Sequence, residues 1–284
     1  MNDLDPPARL VTEAVARALA EDLGQLGDLT AALLGEDARA VGDFVARAPG
    51  VLAGTACARE TYAQLDSALD VEWCLRDGAT LEVGTVIGRV EGSLRSLSSG
   101  ERTALNFLCH LSGVATLTRR FVDAAGDRVR VLDTRKTLPG LRALEKAAVR
   151  AGGGTNHRGS LSDMVLVKDN HLVATGVADA VLRAREMWPG RGVEVECTHP
   201  AQVLEAIEAG VDLVMLDNMT PEEVADCVQM IRSGSRPPTP VEVSGGVTLA
   251  NVGSYAGTGA DLISTSAITQ SAPALDIALD VLIR

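Results

Sequence analysis

Hydrophobic positions along the 284-residue chain change their rhythm near residue 112. Before that point the texture is mixed. Leu10, Val11, Ala14, Val15, Ala18, Leu19 and Leu23 recur at helical spacing and predict a helix over residues 10–23. The stretch EDLGQLGDLT (21–30) ends it with two glycines. Segments 43–54 and 79–91 are valine-rich and punctuated by glycine, which predicts short strands and turns. Ser98 and Glu101 have the S-x-x-E spacing of a capping box and predict the start of a long helix running towards Ala125, with Ser112-Gly113 as its kink or break. A domain boundary is therefore expected near 112.

Beyond 112 one theme repeats. Short β-prone runs end abruptly in polar or charged residues: VRVLDTRK (129–136), MVLVKDNH (164–171), VEVEC (193–197), LVMLDN (213–218), VEVSGG (241–246) and LISTS (262–266). Helical periodicity fills 141–151, 176–187, 200–209, 221–232 and 248–257. Near-continuous apolar strands alternating with helices predict a parallel sheet covered by helices. Six such units are too few for an eight-stranded barrel. A doubly wound open sheet is the rival architecture. A barrel is favoured because chemistry-bearing residues end every strand, whereas an open sheet gathers its ligand at one switch point.

Composition narrows the function. With 38 acidic and 26 basic side chains the net charge is −12, which argues against a nucleic-acid or anionic-membrane partner. Two Trp, two Tyr and three Phe leave little for base stacking. Five cysteines with no CxxC pair, and no apolar run of about 18 residues, predict a reduced, cytosolic, soluble protein. Lysine usage is the pointer to a site: of the 26 basic residues only Lys136, Lys146 and Lys168 are lysine, and all fall within 33 residues.

In a parallel α/β barrel the C-terminal strand ends converge on one mouth. Those ends supply Arg135 and Lys136, Lys168, Glu196, Asp217, Ser244-Gly245-Gly246, and Ser264 to Ser266. Lys136 and Lys168 each follow an apolar strand in a chain that otherwise uses arginine, so a compact ammonium is wanted there. Lys146 sits mid-helix and divides evenly between site and surface. Residues 133–163 form a basic island containing Arg135, Lys136, Arg142, Lys146, Arg150, His157 and Arg158, suited to a small polyanion. Ser244-Gly245-Gly246, read as preceding a helix from about Thr248, suggests a phosphate cradle. Glu196 and Asp217 are candidates for Mg²⁺ ligation, ribose hydroxyls or acid/base work. The histidines show no metal-ligand spacing, so zinc is disfavoured.

DTRKT-x-PG-x-R-x-x-E-K, GGG-x-NHR, KDNH, SGERTALN and VEVSGG together resemble the quinolinate phosphoribosyltransferase family nearly end to end. The resemblance implies an N-terminal α/β sandwich domain (1–112), an open six-stranded parallel α/β barrel (113–270), and a C-terminal tail (271–284) packing back on the first domain. It implies transfer of the phosphoribosyl group of 5-phosphoribosyl 1-diphosphate to quinolinate with Mg²⁺, in a homodimer or higher oligomer whose active sites are shared between subunits. By motif, Arg102 would reach the partner's site. Thr134, Arg135, Lys136, His157, Arg158 and Lys168 would line the quinolinate and diphosphate region. Glu196 and Asp217 would hold ribose hydroxyls and magnesium; Ser244, Gly245, Gly246, Ser264, Thr265 and Ser266 would bind the 5′-phosphate. Lys136 is the candidate for stabilising the carbanion of decarboxylation. Two departures from the family pattern are the glycine directly after Arg158, followed by Ser160, and Ser266 where the family often has glycine. A Schiff-base lyase using Lys168 and a non-catalytic, molybdate-associated paralogue are the competing readings.

Overall fold

The computed structural model describes residues 4–172, 174–234 and 238–283. In chain order the elements begin with α1 (Ala8–Leu23), β1 (Arg39–Ala46), β2 (Gly50–Val51), α2 (Thr55–Leu65), β3 (Asp70–Trp73), β4 (Thr80–Leu81), β5 (Val86–Ser93) and α3 (Leu94–Ala125). Then follow β6 (Arg130–Leu132), α4 (Arg142–Ala151), β7 (Val165–Val167), α5 (Asp169–Leu172), α6 (Val177–Met187), β8 (Val193–Cys197) and α7 (Pro200–Ala209). The chain ends with β9 (Leu213–Asp217), α8 (Pro221–Arg232), β10 (Val241–Ser244), α9 (Val252–Ala256), β11 (Leu262–Ser264), α10 (Ala267–Gln270) and β12 (Ile277–Ile283). These elements form two compact units: one of residues 1–119, 137–153 and 268–284, the other of 120–136 and 154–267.

The first unit is built on a four-stranded antiparallel sheet ordered β12-β1-β5-β3. Its core buries Phe44, Leu52, Tyr62, Leu81, Ile87, Leu97 and Leu108. The tail belongs here because β12 pairs with β1 from Ala46↔Ile277 to Ala40↔Ile283. α1 buries Val11, Ala14, Val15 and Leu19, the face its periodicity marks. The segment 137–153 with α4 also clusters in this unit, so no single cut near 112 separates the two.

α3 differs from its sequence reading at both marked points. It starts at Leu94, ahead of Ser98, with the Ser93 hydroxyl accepting the Ser96 N–H at 3.4 Å. It also runs unbroken through Ser112-Gly113. That pair is small for packing: a Cβ on Gly113 would lie 2.0 Å from the Pro273 carbonyl oxygen. The Ser112 hydroxyl bonds both the N–H and the carbonyl of Ala53, at 3.0 and 3.1 Å. Helix propensity lost at one glycine, about 1 kcal/mol, is outweighed by the close approach it permits. Gly113→Ala is accordingly expected to destabilise the protein by about 3 kcal/mol, at the upper end of overpacking costs; a thermal melt unchanged from wild type would contradict the close approach.

The second unit is a six-stranded parallel sheet ordered β6-β11-β10-β9-β8-β7, with helices connecting successive strands from β7 to β11. Its strands are short and strongly apolar, and β8 is buried at all five positions. Thr155 bridges to Leu132 beside the edge strand β6, yet His157 two residues later lies 3.2 Å from Glu194 on β8. On a flat sheet the four inter-strand steps from β6 to β8 would separate them by roughly 19 Å. The sheet therefore curls into an open barrel, and the loops after its strands ring a common mouth. No helix among the described residues is long and apolar enough to cross a membrane.

Candidate active site

A cavity of about 550 Å³ opens at the C-terminal ends of the parallel strands. All six strands of the sheet deliver chemistry to it directly. Thr134, Arg135 and Lys136 follow β6, Lys168 follows β7, Glu196 and Asp217 lie on β8 and β9, and Ser244 and Ser264 end β10 and β11. The convergence is a consequence of parallel pairing, because every strand points the same way and each apolar run ends at the same level. His157 and Arg158 enter from the segment beside β6. Asp133, fully buried, fastens that segment by accepting the His157 N–H at 2.9 Å and the Asn156 side-chain amide at 2.6 Å.

The cavity wall carries four cations, Arg135, Lys136, Arg158 and Lys168, against the carboxylates Glu196, Asp217 and Glu242. Lys168 Nζ is ion-paired with Glu196 Oε2, and its backbone N–H donates to His171 Nδ1 at 3.0 Å. Burial, and then the neighbouring Arg135 cation, pull the Arg158 guanidinium below its ordinary pKa. Two cations this close in a half-buried wall favour an anion between them, which gives the site its appetite for carboxylate or phosphate. Asp217 accepts the Asn218 side-chain amide at 2.6 Å.

The turn after β10 is built for close approach. Gly245 and Gly246 have φ of 84° and 64°, both left-handed. A Cβ on Gly245 would meet Asn218 Oδ1 at 2.3 Å and its backbone N at 2.8 Å. Asn218 itself is the one non-glycine residue at positive φ, 56°, among those described, and its N–H donates to the Ser244 carbonyl at 2.9 Å. Successive backbone groups in such a turn make an anion-binding concavity. The helix expected near Thr248 begins only at Val252, because Thr248 to Asn251 form a turn closed by the Thr248 N–H to Asn251 Oδ1 bond at 2.7 Å. The cradle geometry at this strand end thus belongs to the glycine turn and not to a helix N-terminus. Gly245→Ala is expected to raise the KM for a phosphorylated substrate at least tenfold with an unchanged fold by circular dichroism; an unaltered KM would remove the turn from the site.

Below the mouth lies a second layer. Glu194 and Glu242 sit two residues before Glu196 and Ser244, on the same faces of their strands, and both are fully buried. His157 Nε2 is 3.2 Å from Glu194 Oε2 and 3.3 Å from Glu242 Oε2. Burial by itself lowers the His157 pKa; hydrogen bonding to Glu194 and Glu242 and their charges outweigh it and raise it. Burial, chiefly, raises Glu194, the Glu242 charge adding to it.

Of the fifteen site residues that the family resemblance implies, twelve line this cavity, and Arg102, Thr265 and Ser266 do not. Thr265 is turned inward, its N–H donating to the Leu132 carbonyl and its hydroxyl to the Val247 carbonyl, each at 3.1 Å. Ser266 is absent from the lining, and Arg102 is exposed on α3 of the first unit. Lys146 is buried on α4, also in the first unit. Ser160 closes a local turn, its N–H and hydroxyl both bonding Asp163 at 3.0 and 2.6 Å. The lining also includes Leu166, Met215, Asn218 and Glu242, which the sequence reading passed over. The alternation of VEVSGG and VEVEC carried a signal for Glu242 and Glu194: an acidic residue inside an apolar strand run. Among the described residues the three-ligand cluster with metal-like spacing is His157, Glu194 and Glu242, whose donor atoms lie within 4.8 Å of one another.

An open parallel α/β barrel whose mouth combines clustered cations, two strand-end carboxylates and a paired-glycine turn defines an enzyme acting on a phosphorylated polyanion. Residues 28–112 and 114–280 match the N-terminal and C-terminal domains of quinolinate phosphoribosyl transferase respectively. The chain belongs to the quinolinate phosphoribosyltransferase family. It is 41 % identical over 279 residues to a probable nicotinate-nucleotide pyrophosphorylase (carboxylating) of Synechocystis, covering 97 % of this chain and 94 % of that one. The nicotinate-nucleotide pyrophosphorylase (carboxylating) of Mycobacterium leprae is 41 % identical over 278 residues, covering 95 % and 96 %. The solved nicotinate-nucleotide pyrophosphorylase of Francisella tularensis superposes with a TM-score of 0.92 at 38 % identity, covering 98 % of both chains.

Proposed function

We propose that the protein transfers the phosphoribosyl group of 5-phosphoribosyl 1-diphosphate to quinolinate, releasing pyrophosphate and CO₂ and leaving nicotinate mononucleotide, as a step of de novo NAD synthesis. The observation that carries this reading is the pairing, in one cavity, of four cations with Glu196, Asp217 and the Gly245-Gly246 turn. A pyridine dicarboxylate needs clustered cations, a pentose needs carboxylates for its hydroxyls, and a 5′-phosphate needs backbone N–H groups at close range. In this scheme Arg135 and Arg158 take the quinolinate carboxylates and Lys136 and Lys168 face the diphosphate. Glu196 and Asp217 orient the ribose, and the turn from Ser244 to Gly246, with Ser264, holds the phosphate. Arg102, exposed on its helix, is assigned to the neighbouring subunit's site in a homodimer.

The chemistry has two stages. The pyridine nitrogen bonds to the anomeric carbon as the C–O bond to pyrophosphate breaks, its electron pair leaving with the diphosphate through an oxocarbenium-like state. The C–C bond to the adjacent carboxylate then breaks, CO₂ departs, and the electron pair left on the ring carbon takes up a proton. The wall cations stabilise the leaving-group charge, and Lys136 is assigned to the transient carbanion. Glu196 and Asp217 face the same cavity from adjacent strands with hard oxygen donors, a donor set that fits Mg²⁺. Magnesium bound there would neutralise diphosphate charge. The Schiff-base alternative is disfavoured, because the Lys168 ammonium is held by Glu196 and such a nucleophile must be neutral.

Incubation with quinolinate, 5-phosphoribosyl 1-diphosphate and Mg²⁺ is expected to yield nicotinate mononucleotide and one equivalent of CO₂. Nicotinate reacting as well as quinolinate would overturn the substrate assignment. Arg102→Ala and Lys136→Ala chains, each inactive alone, are expected to recover partial activity when mixed; no recovery would count against a shared site.

A further inference from the structure

The layer beneath the mouth, His157 with Glu194 and Glu242, has no place in the scheme above beyond its histidine. Both carboxylates are fully buried, and His157 Nε2 lies within ion-pair distance of one oxygen of each, 3.2 and 3.3 Å. Three donor atoms so close together are the usual outline of a cation site. The ring's other nitrogen argues against one. A ligating imidazole keeps its proton on the nitrogen away from the metal and donates it to an acceptor. Here His157 Nδ1 faces a donor instead, the Arg158 backbone N–H at 2.7 Å. At that distance Nδ1 has no room for a hydrogen, so the ring's proton is on Nε2, between the two carboxylates. The carboxylates favour a second ring proton, and the Arg158 N–H denies it a position.

Both ring nitrogens thus face protein groups, and the ring is the strut that joins the buried carboxylates to the Arg158 backbone. Arg158 needs such a strut. Its guanidinium makes a 3.3 Å bond to the Met164 carbonyl and lies close to the like charge of Arg135, which pushes it away. We infer that Glu194 and Glu242 are positioning residues for substrate binding: by accepting the Nε2–H they lock His157 in one rotamer and tautomer, and the Nδ1 lone pair then fixes the Arg158 backbone so that its guanidinium stands at the cavity wall. The inference rests on the proposed reaction only in naming quinolinate as the anion that Arg158 meets.

What matters is that positions 194 and 242 each offer an acceptor, and side chains of similar size separate this from a packing role. Glutamine keeps an acceptor oxygen; methionine fills a similar volume without one. The Glu194→Met/Glu242→Met double variant is expected to melt at or above the wild-type temperature, since replacing buried charges with apolar groups is often neutral or stabilising. Its KM for quinolinate is expected to rise about tenfold, the loss of roughly one well-made charge-assisted contact, with kcat within about twofold. The Glu194→Gln/Glu242→Gln double variant is expected to restore the wild-type KM. A wild-type KM in the methionine variant, or an equal rise in both, would overturn the inference. Nitrogen NMR of the ¹⁵N-histidine-labelled wild-type enzyme gives a check that needs no variant to fold beyond His157→Gln for assignment, as the chain has only four histidines. One bare and one protonated ring nitrogen on His157 is expected at neutral pH; two protonated nitrogens would contradict the proposed strut. If the wild-type enzyme leaves quinolinate unreacted, the proposed reaction fails while this spectrum still judges the ring.

Discussion

Replacing Glu196 by glutamine is expected to lower kcat/KM for 5-phosphoribosyl 1-diphosphate by two to three orders of magnitude, about 3–4 kcal/mol of transition-state stabilisation. The size follows from how many contacts depend on this one carboxylate. It is nearly buried at the cavity edge, where a charge acts with little screening. It pairs with Lys168 Nζ, so its removal also releases a cation from its place. It is also one of two hard oxygen donors on adjacent strands in the cavity. Two measurements separate these contributions. Affinity for Mn²⁺, read by electron paramagnetic resonance without substrate, is expected to weaken at least tenfold. Asp217→Asn, which leaves the lysine pair intact, is expected to weaken the ion as much while costing less in turnover. Glu196→Gln with wild-type kcat/KM would remove Glu196 from the reaction.

Lys136→Ala is expected to lower kcat by two to three orders of magnitude while the KM for quinolinate changes less than about fivefold. Arg135 and Arg158 already supply planar, bidentate cations in the same cavity, whereas a compact ammonium is suited to a localised electron pair. Lys136 stands immediately after the strand β6 in a short turn, its N–H donating to the Thr134 hydroxyl at 2.9 Å, so the backbone carrying it is held. Lys136→Arg is therefore expected not to restore turnover. Binding loss alone, with kcat intact, would move Lys136 from chemistry to affinity.

Much of the second unit was legible along the chain, because each of its six strands is a short apolar run ending in a polar group. Parallel pairing then leaves little freedom about where those ends go. Lys136, Lys168, Glu196, Asp217 and Ser244 could be read as one mouth for this reason. Less was legible in the first unit. α2 and β3 carry no clear periodicity. α2 starts where buried Asp77, 22 residues further on, accepts the Gly54 N–H at 2.9 Å and the Thr55 hydroxyl at 2.7 Å, a partner no local pattern announces. Ser112-Gly113 misled in the opposite direction: locally it is a helix breaker, and only the Pro273 carbonyl beside it explains why a glycine is kept inside a continuous helix.

The sequence by itself determined the alternation of strands and helices in the second unit, the acidic exterior around a basic island, and the residue types available at each strand end. These depend on nearest-neighbour chemistry and on the period of hydrophobic positions, which are written along the chain. The tertiary structure alone decided what lies beneath the mouth. Whether an acidic residue within an apolar strand faces a helix or the barrel axis depends on how the sheet curls. The meeting of Glu194, Glu242 and His157 comes from strands that are not neighbours in the sheet. The same holds for the left-handed pair Asn218 and Gly245, brought together by the register of β9 with β10, and for the inward turn of Thr265, whose hydrogen-bond partners lie on segments distant in sequence.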